Sequence, residues 1–140
     1  MGCYMLKEIC VDKNKEAANL EKYVNYYILL DYWMQAMERE KLIEEFFLFR
    51  GYKKIAIYGI AALGKHLIAQ LKDSEIEVIY TIDRMVVDIT GKLLSESVNE
   101  IPAVDAVIVT PVYDYSIIKD DLRKYVNCDI LSLEEVVLSL

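Results

Sequence analysis

Short apolar runs alternate with amphipathic stretches from residue 53 to the C-terminus, and this alternation constrains the fold more than any other feature. The run "IAIY", residues 55–58, is apolar throughout, as a strand covered on both faces requires. The following "LGKHLIAQL" places its leucines on one helical face, and "EVIYTID" is an apolar run again. A strand, a helix and a strand in this order predict a parallel sheet with helices on its faces.

The same alternation continues to the end of the chain. "DAVIVTP" predicts a further strand, and Asp114 is placed to cap the helix "YSIIKDDLRKYV". "CDILSL" and "LEEVVLSL" predict a last strand and a terminal helix, and a weaker strand is expected at "KLLS", residues 92–95. The predicted fold is therefore α/β, a three-layer, doubly wound, Rossmann-like parallel sheet of about five strands in the order 3-2-1-4-5.

The first 50 residues lack this alternation. They are expected to form a helical N-terminal segment, 1–50, for packing or oligomerisation, before the Rossmann-like domain, 51–140. From residue 14 to about residue 40 apolar residues recur at helical spacing, which predicts one long helix capped by Asp12 or Asn14. "KLIEEFFLFRGY" predicts a second, short helix that ends at Gly51, so that the two helices form a hairpin.

The long helix has more apolar surface than one contact needs. Beside its main apolar line it carries a second one, formed by Tyr23, Tyr26, Trp33 and Met37. Two hypotheses stay open at this point. Either both lines pack on the core of the same chain, or one line meets a second copy and forms a homodimer through the N-terminal helices.

Composition excludes several classes of function. The net charge of -7 argues against nucleic acid as a partner, because such binding depends on clustered Lys and Arg. The longest uncharged stretches are far shorter than the roughly 20 apolar residues of a membrane span. Three widely spaced cysteines and one histidine give no metal-binding pattern. No secretory signal pattern is present, so a cytoplasmic location is expected.

The glycine loop in "IAIYGIAALGKHL" resembles two phosphate-binding patterns and completes neither. As a Walker A loop it has His66 where the magnesium-binding Ser or Thr belongs. As a dinucleotide turn, G-x-G-x-x-G, it has Ala61 at the middle glycine. The second interpretation is favoured, because the loop follows a buried strand and Asp83 ends the next strand about 20 residues further on.

This interpretation assigns a role to each loop residue. Gly59 would form the tight turn, Gly64 would let the helix approach the strand, and Asp83 would accept hydrogen bonds from a ribose diol. The methyl group of Ala61 would intrude on the pyrophosphate. The candidate cofactor-binding residues are Gly59, Ala61, Leu63, Gly64, Asp83 and Arg84. The alternative is that the two glycines serve only the architecture of a sheet that binds nothing.

The segments "GYKKIAIYGIAALGKHLIAQLKDSEIEVIYTIDR" and "VDAVIVTPVYDYSIIKDDL" resemble a known class of domain. It is the Rossmann-like, CoA-binding or NAD-binding-type domain found at the front of bacterial sugar acyltransferases and nucleotide-sugar dehydratases, and in small stand-alone proteins of surface-polysaccharide synthesis. In that family the loop is usually glycine-complete, so Ala61 departs from the pattern. The resemblance implies NAD, CoA or a nucleotide-sugar as ligand and a glycosyltransferase as partner.

Three functional hypotheses follow. The first is a non-catalytic, nucleotide- or nucleotide-sugar-binding accessory domain in polysaccharide synthesis. The second is a protein-interaction module whose fold binds no ligand. The third is a small NAD-dependent oxidoreductase that uses Tyr115 and Lys119, which have the Y-x-x-x-K spacing of short-chain dehydrogenases but lack an upstream serine partner. We expect Tyr115 to pack at a helix start and Lys119 to be solvated, so no catalytic residue is assigned.

Overall fold

A computed structural model of the chain describes residues 2–83, 85–88 and 101–140, with the side chains of residues 15–83 and 101–140. The helices within these ranges are α1 (Gly2–Glu38), α2 (Ile43–Phe49), α3 (Ala62–Leu71), α4 (Tyr115–Leu122) and α5 (Leu133–Leu138). The strands are β1 (Lys54–Tyr58), β2 (Glu77–Asp83), β3 (Met85–Asp88), β4 (Ala106–Val109) and β5 (Asp129–Ser132). A single 3₁₀ turn, Val112–Asp114, leads into α4.

The fold is α/β with an open sheet in which four strands are parallel, in the order β2-β1-β4-β5. β3 pairs antiparallel with the outer side of β2. One residue separates β2 from β3, which leaves no length for the crossover that a parallel partner needs. The prediction of about five parallel strands is therefore wrong: among the described residues the parallel strands number four. The strand expected at residues 92–95 lies outside the described residues.

Successive side chains of the central strands enter two separate cores, because side chains alternate between the faces of a sheet. Ile55 and Ile57 of β1 face one core, and Ala56 between them faces the other. Helices α1, α2, α3 and α5 cover the first face, and α4 covers the second. All four residues of β4 are buried, as a strand between two helical layers requires.

The N-terminal helix is longer than the sequence analysis predicted. It begins at Gly2, so Asp12 and Asn14 lie within it and the prediction that one of them caps its start is wrong. The physical reason is that no Gly or Pro interrupts the chain after Gly2 before Gly51, and short polar residues alone do not stop a helix. At α4, Asp114 does occupy the N-cap position, but its side chain makes no capping hydrogen bond.

Helix α1 packs on the rest of the chain through its C-terminal half. Leu29, Trp33 and Ala36 are buried, and they face α5 and the turn at 112–114. Helix α5 follows β5 without a connecting residue, and the Ser132 hydroxyl accepts a hydrogen bond from the Glu134 backbone N–H at this junction. The helices of the N-terminal segment thus share one core with the sheet.

Candidate functional site

The candidate site is the loop between β1 and α3, at the carboxyl end of the parallel strands. Gly59 opens it with φ +92°, in the left-handed region that favours glycine. Its N–H donates to the Ile82 carbonyl of β2 at 2.7 Å. A Cβ added at Gly59 would lie 2.5 Å from the Thr110 hydroxyl oxygen and 2.8 Å from Pro111 Cδ. The tight turn expected at this position is therefore present, and only glycine fits it.

The second glycine allows helix α3 to start directly against the end of β1. A Cβ added at Gly64 would lie 1.9 Å from the carbonyl oxygen of Gly59, far inside any real contact distance. This is the close approach of helix to strand that the sequence predicted for Gly64. Both glycines are thus required by the packing of the chain on itself, whether or not a ligand binds.

Thr110, immediately after β4, holds the base of the loop and was not among the residues predicted from the sequence. Its buried hydroxyl lies 2.9 Å from the Tyr58 carbonyl oxygen and 3.0 Å from the Gly59 carbonyl oxygen, and its N–H donates to Tyr58 at 2.9 Å. A threonine at the end of a strand has no special sequence signal, because its role depends on the neighbouring strand. The loops after β1 and β4 are consequently joined.

The other two loop residues differ in what they present to solvent. Ala61 is the N-cap of α3, is exposed, and provides no side-chain acceptor for the first turn of the helix. Leu63 is buried in the core below the sheet face. Its side chain cannot reach a ligand, so its predicted role is limited to its backbone N–H. The first-turn N–H groups of α3 are therefore left without a side-chain cap.

Asp83 ends β2, the strand beside β1, and its side chain is exposed. The register pairs Tyr58 of β1 with Ile82, so Asp83 lies one residue beyond the last paired position, at the level of the glycine loop. Lys65 and His66, on the first turn of α3, are exposed as well. Arg84 lies outside the described residues. The structure thus brings Gly59, Ala61, Gly64 and Asp83 to one edge of the sheet.

Three clefts lie elsewhere on the described surface, with volumes of about 160, 350 and 380 Å³. None of the three is lined by residues 59–64 or by Asp83. The first two adjoin at Tyr113 and Glu134, between α1, the 112–114 turn and α5. Their lining contains two acids, Glu134 and Glu135, and neither Lys nor Arg, which disfavours a phosphate group there.

The Tyr115 and Lys119 pair attaches α4 to the sheet. The Tyr115 hydroxyl donates to the Ile130 carbonyl at 2.9 Å, which occupies its proton. The Lys119 ammonium lies 5.6 Å from the centre of the Tyr115 ring, at the distance of a cation–π contact. These contacts are the packing role that the sequence analysis expected for Tyr115.

Perturbed titratable groups occur away from the glycine loop. Burial raises the pKa of the Tyr80 phenol to about 12 and raises the pKa of the Cys128 thiol. The N–H groups of Lys54 and Lys53 donate to Asp105 at 2.9 Å and lower the pKa of its carboxyl. Asp105 precedes β4, at the opposite edge of the sheet from the loop. The shifts thus follow from packing and from strand ends.

The chain matches no protein-family model, and searches of the curated proteins and of the solved structures return no match. Within the described part of the chain, no helix combines the length and the apolarity that a bilayer crossing requires. The same residues contain no group of three or more His, Cys, Asp or Glu side chains arranged to hold a metal ion. Function is therefore inferred from the geometry of the loop and from the exposed surfaces.

Proposed function

We propose that the chain is a Rossmann-like nucleotide-binding module that carries no chemistry of its own. The observation that supports this proposal is the position of Asp83 beside an uncapped helix start at the carboxyl edge of parallel strands. In open α/β sheets ligands bind at this edge, where the connections from two neighbouring strands run to opposite faces of the sheet. β1 and β4 are such a pair, since α3 follows β1 on one face and α4 follows β4 on the other.

The diphosphate and the ribose of a nucleotide each have a candidate partner at this edge. The first-turn N–H groups of α3 point outward and form the positive end of the helix dipole, which suits a diphosphate. The Asp83 carboxylate accepts hydrogen bonds from a ribose diol. A carboxylate at that place favours a free diol over a phosphorylated ribose, so NAD or a nucleotide-sugar fits better than CoA.

The biological role in this proposal is that of an accessory or regulatory subunit in bacterial surface-polysaccharide synthesis. It is supported only by the resemblance of the loop and strand segments to the domains named above. Binding without turnover is consistent with a site whose assigned groups are backbone N–H donors for a diphosphate and one exposed carboxylate for the ribose.

The Ala61→Gly variant tests the proposal, because the methyl group of Ala61 is the one departure from the dinucleotide turn. Titration calorimetry with NAD, CoA and a UDP-sugar should show binding that strengthens about tenfold in the variant, which corresponds to 1.4 kcal/mol. Ala103→Gly is the matched control, since Ala103 is also exposed and lies outside the loop. Equal affinities in wild type and Ala61→Gly would refute the glycine loop as the binding site, and no heat with any ligand would refute nucleotide binding.

A second candidate function is protein association, with the sheet as its scaffold. Large apolar side chains of α1 are exposed, among them Tyr23, Tyr27 and Met34. Scattered exposed apolar residues are ordinary, but a contiguous set on one helix marks a binding surface. The candidate partners are a second copy and a glycosyltransferase. The molecular mass of the isolated chain in solution, measured by light scattering, separates self-association from a need for another protein.

A further inference from the structure

Helix α1 has an exposed apolar seam with coiled-coil spacing. Its members follow one another at intervals of three, four, three, four and three residues: Leu20, Tyr23, Tyr27, Leu30, Met34 and Met37. Tyr27 is 71% exposed, Tyr23 66% and Leu20 64%, whereas Leu30 is half-buried. This is the a and d pattern of a heptad repeat, in which every a and d position of the stretch is apolar.

Most of the seam is distinct from the face by which α1 packs on its own chain. That face is formed mainly at the c and g positions of the same heptads, by Tyr26, Leu29, Trp33 and Ala36. Leu30 also packs against this core, so the seam and the core face share this one residue. The core leaves the other five seam side chains exposed, together with three apolar residues of α1 outside the seam, Val24, Ile28 and Tyr32.

We propose that the seam pairs with the seam of a second copy of this chain, as a parallel two-stranded coiled coil. This inference rests on the second candidate function and not on nucleotide binding. A heptad stripe is complementary to itself, since each a or d side chain fits between four residues of an identical partner helix. Met34 and Met37 can adapt their unbranched side chains to such a contact.

The area of the seam is sufficient for a dimer. From the exposed fractions of its side chains, pairing would remove about 600 Å² per copy from solvent, or about 1,200 Å² in total, which is the lower bound for stable interfaces. The seam also carries little charge, since its two tyrosines, two leucines and two methionines are all uncharged. Such depletion of charge is typical of the centre of an interface.

The position of the body favours the parallel orientation. The body of each copy lies on the c and g side of α1, and in a parallel pair the two g sides are on opposite sides of the coil, so the bodies do not collide. In an antiparallel pair the two g sides, and the bodies with them, would lie on the same side of the coil.

The Tyr27→Glu variant tests self-association, because it places a charge in the middle of the seam. The Tyr27 side chain is mostly exposed in the single chain, so the change should not disturb the core. Sedimentation of the full chain should show a dimer for the wild type and a monomer for the variant. Tyr125→Glu is the matched control, because it makes the same exchange at an exposed tyrosine outside α1. This variant should remain dimeric. Circular dichroism of both variants reports whether they fold.

A wild-type chain that is monomeric over a wide range of concentration would overturn the proposal. It would leave open the association with a glycosyltransferase, and calorimetry with nucleotides would be unaffected, so the proposals fail separately. A dimer that persists in Tyr27→Glu would equally refute the seam, because the contact would then lie elsewhere.

Disulfide cross-linking tests the orientation. Single cysteines replace Leu20 or Met37 in a chain whose native cysteines are changed to serine, and the samples are oxidised. In a parallel pair the two Leu20→Cys residues meet, as do the two Met37→Cys residues. In an antiparallel pair the same residues would be about 25 Å apart, beyond the reach of a disulfide. Cross-linking only between a Leu20→Cys chain and a Met37→Cys chain would overturn the parallel arrangement.

Discussion

The glycine loop and the seam on α1 differ in how the chain uses them. The loop carries a recognisable sequence motif, yet each of its glycines is already explained by contacts within the chain, at Thr110 and at the Gly59 carbonyl. The seam carries no ligand-binding motif, yet five of its six side chains remain exposed after the chain has folded. A motif therefore marks where the backbone is constrained, and an unpaired apolar surface marks where the folded chain still lacks a contact.

The difference also separates two kinds of experiment. Changes in the loop should alter the stability of each single copy, because the loop joins β1, β4 and α3. Changes in the seam should alter the association of two copies and leave the free energy of unfolding of each copy nearly the same.

Gly64→Ala should destabilise the chain by about 3 kcal/mol or more, since its Cβ would overlap the Gly59 carbonyl oxygen and neither backbone can move freely. Urea unfolding measures the loss. Gly51→Ala is the control, because Gly51 has φ +75° but open space around its Cα, so only the left-handed backbone is penalised, by about 1 kcal/mol. Equal losses in both variants would show that the close approach of α3 to β1 is not real.

Thr110→Val should cost about 1–2 kcal/mol, because it keeps the shape of the side chain and removes the buried hydroxyl that serves the Gly59 carbonyl. Thermal or urea unfolding measures this change. The molecular mass in solution should stay that of the wild type, since Thr110 is buried and is not a member of the seam. If Thr110→Val is as stable as the wild type, the Thr110 hydroxyl does not join the loops after β1 and β4.

Tyr80 lies outside both regions, and Tyr80→Phe should change the free energy of unfolding by a small amount that depends on pH. Burial raises the pKa of Tyr80 in the folded chain to about 12, above the ordinary 10.0. The contribution of the neutral phenol to the free energy of unfolding is therefore fully present below pH 10, and it is lost as the pH rises toward 12. At one pH unit above 10 the wild type should lose about 1 kcal/mol more than Tyr80→Phe does. Parallel pH profiles for the two chains would contradict the raised pKa.

Much of the α/β pattern could be predicted from sequence, because the apolar runs of β1, β2, β4 and β5 are short and are separated by amphipathic helices. β3 could not be predicted, because only one residue of sequence separates it from β2, and no Gly, Asn or Pro there signals a hairpin turn. The start of α1 was also misplaced, because Asp12 and Asn14 are good caps that the helix passes through.

At the candidate site the sequence predicted the conformational roles of Gly59 and Gly64, since a turn and a close approach limit residue size. It placed Leu63 both on the apolar face of α3 and among the site residues, and the burial of Leu63 agrees with the first of these. It did not predict that Thr110 holds the loop, because that contact joins segments about 50 residues apart, which no local pattern contains. Whether Asp83 binds a ribose stays a prediction.

The junction at Ser132 has a consequence for a paired molecule. With no connecting residue between β5 and α5, the direction of α5 is fixed by the last peptide of the strand and by one hydrogen bond to Glu134. Helix α1 packs against α5, so the sheet and the long helix are held at a set angle. Two copies joined along α1 would then behave as one stiff body with two sheet edges at a defined spacing, able to engage two sites on a larger partner at once.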